Sequence, residues 1–275
     1  RRGMKDYLND IVQAAPAPMR TNIMREYLQA RVLEVMQAQD AWTSVAFMGG
    51  TALRFLYQIP RFSEDLDFSL ENAEAGYDFE GLLEAVRARF LKEEYQCETK
   101  TATRTTVNKA FVRFPGLPHE LGLSPHINAV FSVKIEVDTN PPAGAGLESS
   151  LVRRYVTLRI AHHDRASLLA GKIAALLMRE WVKGRDVYDL VWYLSDPQWP
   201  EPNERLLSAA LEQGGRSDLQ GGLWRRALSE RLYAAPWDGV LADVERFLLE
   251  PDQAWMVERE TVGSVLRQRG WAQDR

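Results

Sequence analysis

Asp65 and Asp67 stand one residue apart in Asp65-Leu66-Asp67-Phe68-Ser69-Leu70, where polar and apolar residues alternate. That pattern predicts a half-buried strand, with Leu66, Phe68 and Leu70 on one face and both carboxylates on the other. Two carboxylates on one face can share a hard cation. Mg²⁺ suits the pair, with Mn²⁺ as a substitute, because Mg²⁺ takes one or two protein carboxylates and fills its remaining positions with water and substrate phosphates. The short apolar run Val45-Ala46-Phe47-Met48 ends in Gly49-Gly50, ahead of a helical pattern from Thr51 to Tyr57. Without side chains, these glycines let backbone N–H groups and a helix N-terminus approach phosphate oxygens, and Thr51 can add a hydroxyl.

Lys134-Ile135-Glu136-Val137-Asp138 offers a third carboxylate, Glu136, with Asp138 as the alternative on the same face. A third acid matters because two-metal phosphoryl transfer places ions at both the attacking and the leaving oxygen. Ser63, two residues before Asp65, shares its face if the strand extends that far, and phosphorylation there would put negative charge beside metal and phosphates. An Asp-x-Asp alone is as readily a solvated strand face, and Gly-Gly before a helix is equally common. Their order, with an apolar strand ahead of the glycines, makes the combination specific.

Gly49-Gly50-Thr51-Ala52-Leu53-Arg54, followed by Arg61-Phe62-Ser63-Glu64-Asp65-Leu66-Asp67-Phe68, resembles the first motif of the AbiEii nucleotidyltransferase family. A second block, Lys172-Ile173-Ala174-Ala175-Leu176 with Arg179 and Arg185-Asp186-Val187-Tyr188-Asp189-Leu190, is similar to that family's later lysine and Arg-Asp motifs. The resemblance implies a polymerase-β-like nucleotidyltransferase core of α+β class, a mixed sheet with helices, followed by a C-terminal helical lobe. It implies that Asp65 and Asp67 bind the metal, that Lys172 contacts the triphosphate, and that Asp186 completes the site. Gly49, Gly50, Thr51, Arg54, Ser63 and Arg185 would lie near the nucleotide. The residues alone say less: Lys172, Leu176 and Arg179 fall on one helix stripe and can face the same phosphates, or belong to a solvated helix with an ordinary Arg–Asp pair.

The implied reaction transfers a nucleoside monophosphate from an NTP to an RNA acceptor, tRNA especially, arresting growth as the toxin of a type IV toxin–antitoxin pair. A cognate antitoxin is then the expected partner. A protein side chain or a small molecule as acceptor, or a nucleotide-binding module without turnover, remain the alternatives.

The elements that must position these residues follow from periodicity. Asn22 to Gln39 reads as an amphipathic helix, as does Glu80 to Glu94, and a β-rich stretch runs from Cys97 to Asp138. Pro141-Pro142-Ala143-Gly144-Ala145-Gly146 reads as a loop between lobes, and from Ala166 the pattern is helical. This places a nucleotidyltransferase domain at 1–155 and a helical domain contributing Lys and Asp motifs at 156–275. Length, 45% hydrophobic and 26% charged residues suit a globular chain of 275 residues.

The formal net charge of −4 gives no global attraction for nucleic acid. Lys100, Arg104, Lys109 and Arg113 form a local basic segment, either a solvated sheet face or a surface for RNA or triphosphate. Cys97, the single cysteine, excludes an internal disulfide and is expected to be inert. No apolar run approaches the roughly 20 residues that span a bilayer. With Met4 read as a natural start and no signal-peptide core after it, a cytoplasmic location is expected. His162-His163-Asp164 reads as a helix lead-in with Asp164 or Ser167 as cap, and Trp181, Trp192 and Tyr193 are expected between helices.

Overall fold

The structure is a computed structural model that describes residues 3–102 and 106–272. The chain divides into two compact units. One comprises Arg1–Leu56, Phe62–Pro141 and Ser149–His162; the other comprises Tyr57–Arg61, Pro142–Glu148 and His163–Arg275. The pattern is α+β, a mixed seven-stranded sheet with many helices, as the family resemblance implied.

In the first unit, helices α1 (Met4–Ala14) and α2 (Arg20–Ala38) precede strand β1 (Val45–Met48), helix α3 (Gly49–Tyr57) and strand β2 (Asp65–Leu70). Helix α4 (Phe79–Lys92), strands β3 (Glu98–Thr101) and β4 (Val107–Pro115), the short α5 (Leu117–Glu120), and strands β5 (Val130–Asp138), β6 (Leu147–Arg154) and β7 (Val156–His163) follow. The sheet order is β3-β4-β5-β2-β1-β7-β6. β2 runs antiparallel to β1 and parallel to β5, and β1 runs parallel to β7. Strands β6 and β7 were not read from the sequence, although Leu158, Ile160 and His162 alternate in burial along β7.

Alternation sorts the central strands into two faces. Leu66 and Phe68 of β2, Phe47 of β1, Val133, Ile135 and Val137 of β5, and Ala110, Val112 and Phe114 of β4 are all buried. Phe47 stacks on Phe68 with ring centroids 5.2 Å apart. The opposite face carries Asp65, Asp67, Lys134, Glu136 and Lys109, brought side by side by the pairings Asp65↔Lys134, Asp67↔Glu136 and Lys109↔Glu136. An apolar face under helices and a polar face left wet is how a sheet of this kind divides its side chains.

Helix α2 is the exception to amphipathicity. Its residues from Leu28 to Leu33 are all buried, including Gln29 and Arg31, and Glu26 is 2% exposed. A helix apolar on one stripe alone would not tolerate this, so each buried polar group has a partner. Arg31 binds Glu34, Glu93 and the Tyr27 hydroxyl. Gln29 Nε2 donates to the carbonyls of Ser63 at 3.1 Å and Glu64 at 2.9 Å, the two peptide groups that lead into β2. Cys97 is buried, and desolvation pushes its thiol pKa up to about 12, which agrees with an inert residue.

The second unit is helical. It contains α6 (Arg165–Met178), α7 (Gly184–Ser195), α8 (Glu204–Gln213), α9 (Leu223–Tyr233), α10 (Trp237–Glu245) and α11 (Arg259–Gln268). Asp164 caps α6 by accepting from the Ser167 N–H at 2.8 Å, the expected role. Gly184 opens α7 where a Cβ would lie 1.8 Å from the Val240 carbonyl oxygen, so α7 meets α10 closer than any side chain allows. Tyr193 is buried and Trp192 packs edge-on against Trp199, but Trp181 is 63% exposed, contrary to its expected place between helices. It stands in the Arg179-to-Lys183 connection, beyond the end of α6, so no helix face covers it. Among the described residues no helix is long and apolar enough to cross a membrane.

Replacing Gln29 with Leu removes the donor for two carbonyls while preserving volume. The expected loss is about 1–3 kcal/mol of stability, read as a lower urea midpoint with an unchanged slope. An unshifted midpoint would mean the carbonyls find other donors.

Candidate active site

The two aspartates sit at alternate positions of β2 and project to one face, as predicted. What brings the glycine turn to them is register: Met48 pairs with Asp67 across β1 and β2, so the residue after Met48 arrives beside the Asp67 side chain. Gly49 has φ +79°, and a Cβ built on it would lie 2.7 Å from Asp67 Oδ2 and 3.2 Å from Asp67 Cβ. Both conditions select glycine. Helix α3 starts at Gly49 rather than at Thr51, so Gly49 and Gly50 form its first turn, where N–H groups have no intrahelical acceptor.

Thr51 is fully buried, and its hydroxyl donates to the Asp65 carbonyl. It fixes the first residue of β2 and does not point outward as a phosphate ligand would. Arg54 is 6% exposed. Its Nε binds Glu26 Oε2 at 2.7 Å and its guanidinium lies 5.2 Å from the Phe62 ring centroid, so it anchors α3 to α2. The same Glu26 accepts from Arg154 at 2.8 Å and from the Tyr155 hydroxyl at 3.1 Å. Ser63 lies ahead of β2, so strand alternation does not set its direction, and its carbonyl is held by Gln29.

Glu136 shares the aspartates' face, but sequence reading missed its company. Lys134 Nζ lies 2.8 Å from Glu136 Oε2 and 3.4 Å from Asp65 Oδ2, and Lys109 Nζ lies 3.0 Å from Glu136 Oε1. Burial alone would raise the Glu136 carboxyl, yet hydrogen bonds from Lys134 and Lys109 hold it below the ordinary carboxylate range. Burial alone would lower Lys134; the hydrogen bond to Glu136 and the charge of Asp65 outweigh it and raise its pKa. Asp138, the alternative third acid, accepts from the Asn140 N–H at 2.9 Å. Of the basic segment, Lys109 is paired with Glu136 and Arg113 with Glu98 at 3.1 Å; Arg104 lies outside the described residues.

The donor set fits a hard divalent cation. Asp65 and Asp67 would supply oxygen ligands, and the missing Cβ of Gly49 leaves room for the Asp67 carboxylate where it stands. Among the described residues no group of three or more His, Cys, Asp or Glu side chains could hold a metal ion. An ion held by the pair would complete its shell with water and phosphate oxygens, the usual manner of Mg²⁺.

The second unit holds its own charged cluster. Lys172 Nζ lies 2.9 Å from Asp186 Oδ1 and 2.7 Å from Asp189 Oδ2. Arg61 binds Asp189 through both Nε, at 2.5 Å, and its terminal nitrogen, at 2.6 Å, while Arg179 binds Asp186. Three cations thus meet two carboxylates. Burial would raise the Asp186 carboxyl, but the charges of Lys172 and Arg179 outweigh it and lower its pKa; Lys172 is raised because Asp186 and Asp189 outweigh desolvation. Lys172 on α6 and Arg179 just past its end both face Asp186, although Arg179 stands outside the helix and not on the stripe expected of it. Arg185 is engaged elsewhere, 3.7 Å from Asp243 and stacked over Phe247. Arg61 and Asp189 are the residues that sequence reading undervalued, and an arginine in an otherwise apolar Ile59-to-Phe62 stretch was the available signal.

Comparison with known proteins gives the family to which a chain with this mixed sheet belongs. The model of the nucleotidyl transferase AbiEii toxin family, type IV toxin–antitoxin system, matches residues 31–259, more than half of the chain, and the chain belongs to that family. Among solved structures, a Helicobacter pylori protein described as a candidate nucleotidyltransferase is similar at 16% identity and TM-score 0.53, over 93% of this chain and 99% of that one. The Helicobacter pylori protein JHP933 is similar at 16% identity and TM-score 0.51, over 90% and 93%. At such identity the likeness shows the fold. No curated protein matches the chain.

Two substitutions test the geometry. Gly49→Ala should cost about 1–2 kcal/mol from the left-handed backbone alone and weaken Mn²⁺ binding by displacing the Asp67 carboxylate. Urea unfolding and Mn²⁺ titration read the two effects, and wild-type values in both would refute the close approach. Arg61→Met leaves the buried Asp189 with one cation in place of two, and the unfolding free energy should drop by about 3–5 kcal/mol.

Proposed function

We propose that this chain transfers a nucleoside monophosphate from an NTP to an RNA acceptor, tRNA in the first instance, with Mg²⁺ as the metal and growth arrest as the outcome. The observation that carries this reading is Asp65 and Asp67 on one face of β2 with Gly49 against Asp67. Membership of a nucleotidyltransferase toxin family supports the chemistry and the growth arrest, and it supports a cognate antitoxin as partner. A cytoplasmic location belongs to the same reading.

In the proposed reaction Asp65 and Asp67 hold the divalent ion, and the first-turn N–H groups of α3 are offered to phosphate oxygens. The ion, when bound, polarises the phosphoryl group and neutralises charge that develops on it. Thr51 and Gln29 act on the strand that carries the aspartates, through the Asp65, Ser63 and Glu64 carbonyls. Arg54 acts through Glu26 rather than on the nucleotide. Lys172, with its ammonium between Asp186 and Asp189, is proposed as the triphosphate contact, with Asp186 as its orienting partner. Catalysis of this kind is mostly positioning and electrostatics, so no strong nucleophile is required of the chain.

The test is to incubate purified protein with total RNA, Mg²⁺ and each labelled NTP in turn. Label should enter the tRNA fraction with a preferred nucleotide, and Asp67→Asn, folded by circular dichroism, should lose it by about three orders of magnitude, the equivalent of several kcal/mol of electrostatic stabilisation. Label in protein instead would overturn the RNA acceptor. Equal labelling by wild type and Asp67→Asn would overturn the enzyme.

A further inference from the structure

Phosphoryl-transfer sites that use two divalent ions need carboxylate oxygens for both. Around the β2 aspartates the polar face of this sheet groups three carboxylates, Asp65, Asp67 and Glu136, with two ammonium groups placed by strand register. Lys134 is directly opposite Asp65 in the β2–β5 pairing, and Lys109 is directly opposite Glu136 in the β4–β5 pairing. Lys134 and Glu136 are two residues apart on β5 and therefore share a face. These neighbours follow from the backbone, not from a chance meeting of long side chains.

The positions are specific. Lys134 Nζ spans Glu136 Oε2 at 2.8 Å and Asp65 Oδ2 at 3.4 Å, so it stands between the two carboxylates that an ion bridging β2 and β5 would have to join. Lys109 takes the remaining oxygen of Glu136 at 3.0 Å. Both Glu136 oxygens are thus committed to charge-assisted hydrogen bonds, and Glu136, at 19% of its side chain, is less exposed than Asp65, Lys109 or Lys134. These three carboxylates and two ammonium groups together carry one net negative charge. A first divalent ion reverses that sign, and a second would have to approach a site already positive and displace Lys134 to reach an oxygen of Glu136.

We propose that the Lys134 ammonium fills the place of a second divalent ion, so that the chain binds a single ion, held by Asp65 and Asp67. Lys134 is then a positioning residue that keeps Glu136 and Asp65 apart at a fixed spacing with a permanent positive charge. This rests on the reading of Asp65 and Asp67 as metal ligands, and it goes further by fixing the ion count and naming the group that limits it.

The experiment is an equilibrium titration of the full chain with Mn²⁺, with free ion measured by electron paramagnetic resonance, so the readout is stoichiometry and not turnover. Wild type should bind one Mn²⁺ per chain and Lys134→Met two, while Lys134→Arg, which keeps the charge, should bind one. Two ions in wild type or in Lys134→Arg, or one ion in Lys134→Met, would overturn the proposal. If Lys134→Met fails to fold by circular dichroism, the wild-type and Lys134→Arg counts still decide. A wild type that binds no Mn²⁺ would instead remove the metal-binding reading of Asp65 and Asp67 on which the proposed function stands.

Discussion

The contact on which the site depends is between a glycine and a carboxylate. Because Met48 pairs with Asp67, the chain leaving β1 must turn at the Asp67 side chain, and only a residue without a Cβ and with positive φ can do so there. That one register brings a helix N-terminus and a carboxylate together, two features that each bind charged groups of opposite sign. A slip of one residue would send both aspartates to the apolar face and turn Leu66 and Phe68 out to the polar one. Burial of Phe47 against Phe68 on the far side of the same pairing opposes such a slip, so the packing of the core and the placing of the site are enforced by the same strands.

Around that contact the first unit uses buried polar groups as fasteners. Glu26, Gln29 and Arg31 lie within two turns of a helix that is covered nearly all round, and each reaches a different neighbour: α3, the lead-in to β2, and the end of α4. Buried hydrogen bonds add modestly to net stability but are costly to leave unmade, so they select one arrangement over near alternatives. The second unit follows the same logic with full charges. A lysine held between two aspartates, each backed by an arginine, has its ammonium position set to within hydrogen-bond tolerance.

Much of this was legible in the sequence where local rules decide. Strand β2, the glycine turn, the helices after Ala166 and the Asp164 cap are all read from alternation, helical period or capping chemistry within a few residues. What could not be read depends on which distant segments become neighbours. Lys109 and Lys134 look like solvent-facing cations until the register of three strands puts them on Glu136. Arg54 looks like a phosphate ligand until α2 presents Glu26 to it, and Thr51 faces a carbonyl rather than the outside because its helix begins two residues earlier. Strands β6 and β7 escaped notice since Tyr155, at φ +59°, joins them without the glycine or proline that usually marks a hairpin.

The lone thiol has a practical consequence. Cys97 is covered and stays protonated far above neutral pH, so maleimides and disulfide reagents have little thiolate to attack. A cysteine introduced on the surface of the natural chain would therefore take up a fluorophore or spin label selectively. Paired labels would report distances within the protein in solution, with every native residue other than the two labelled positions left in place.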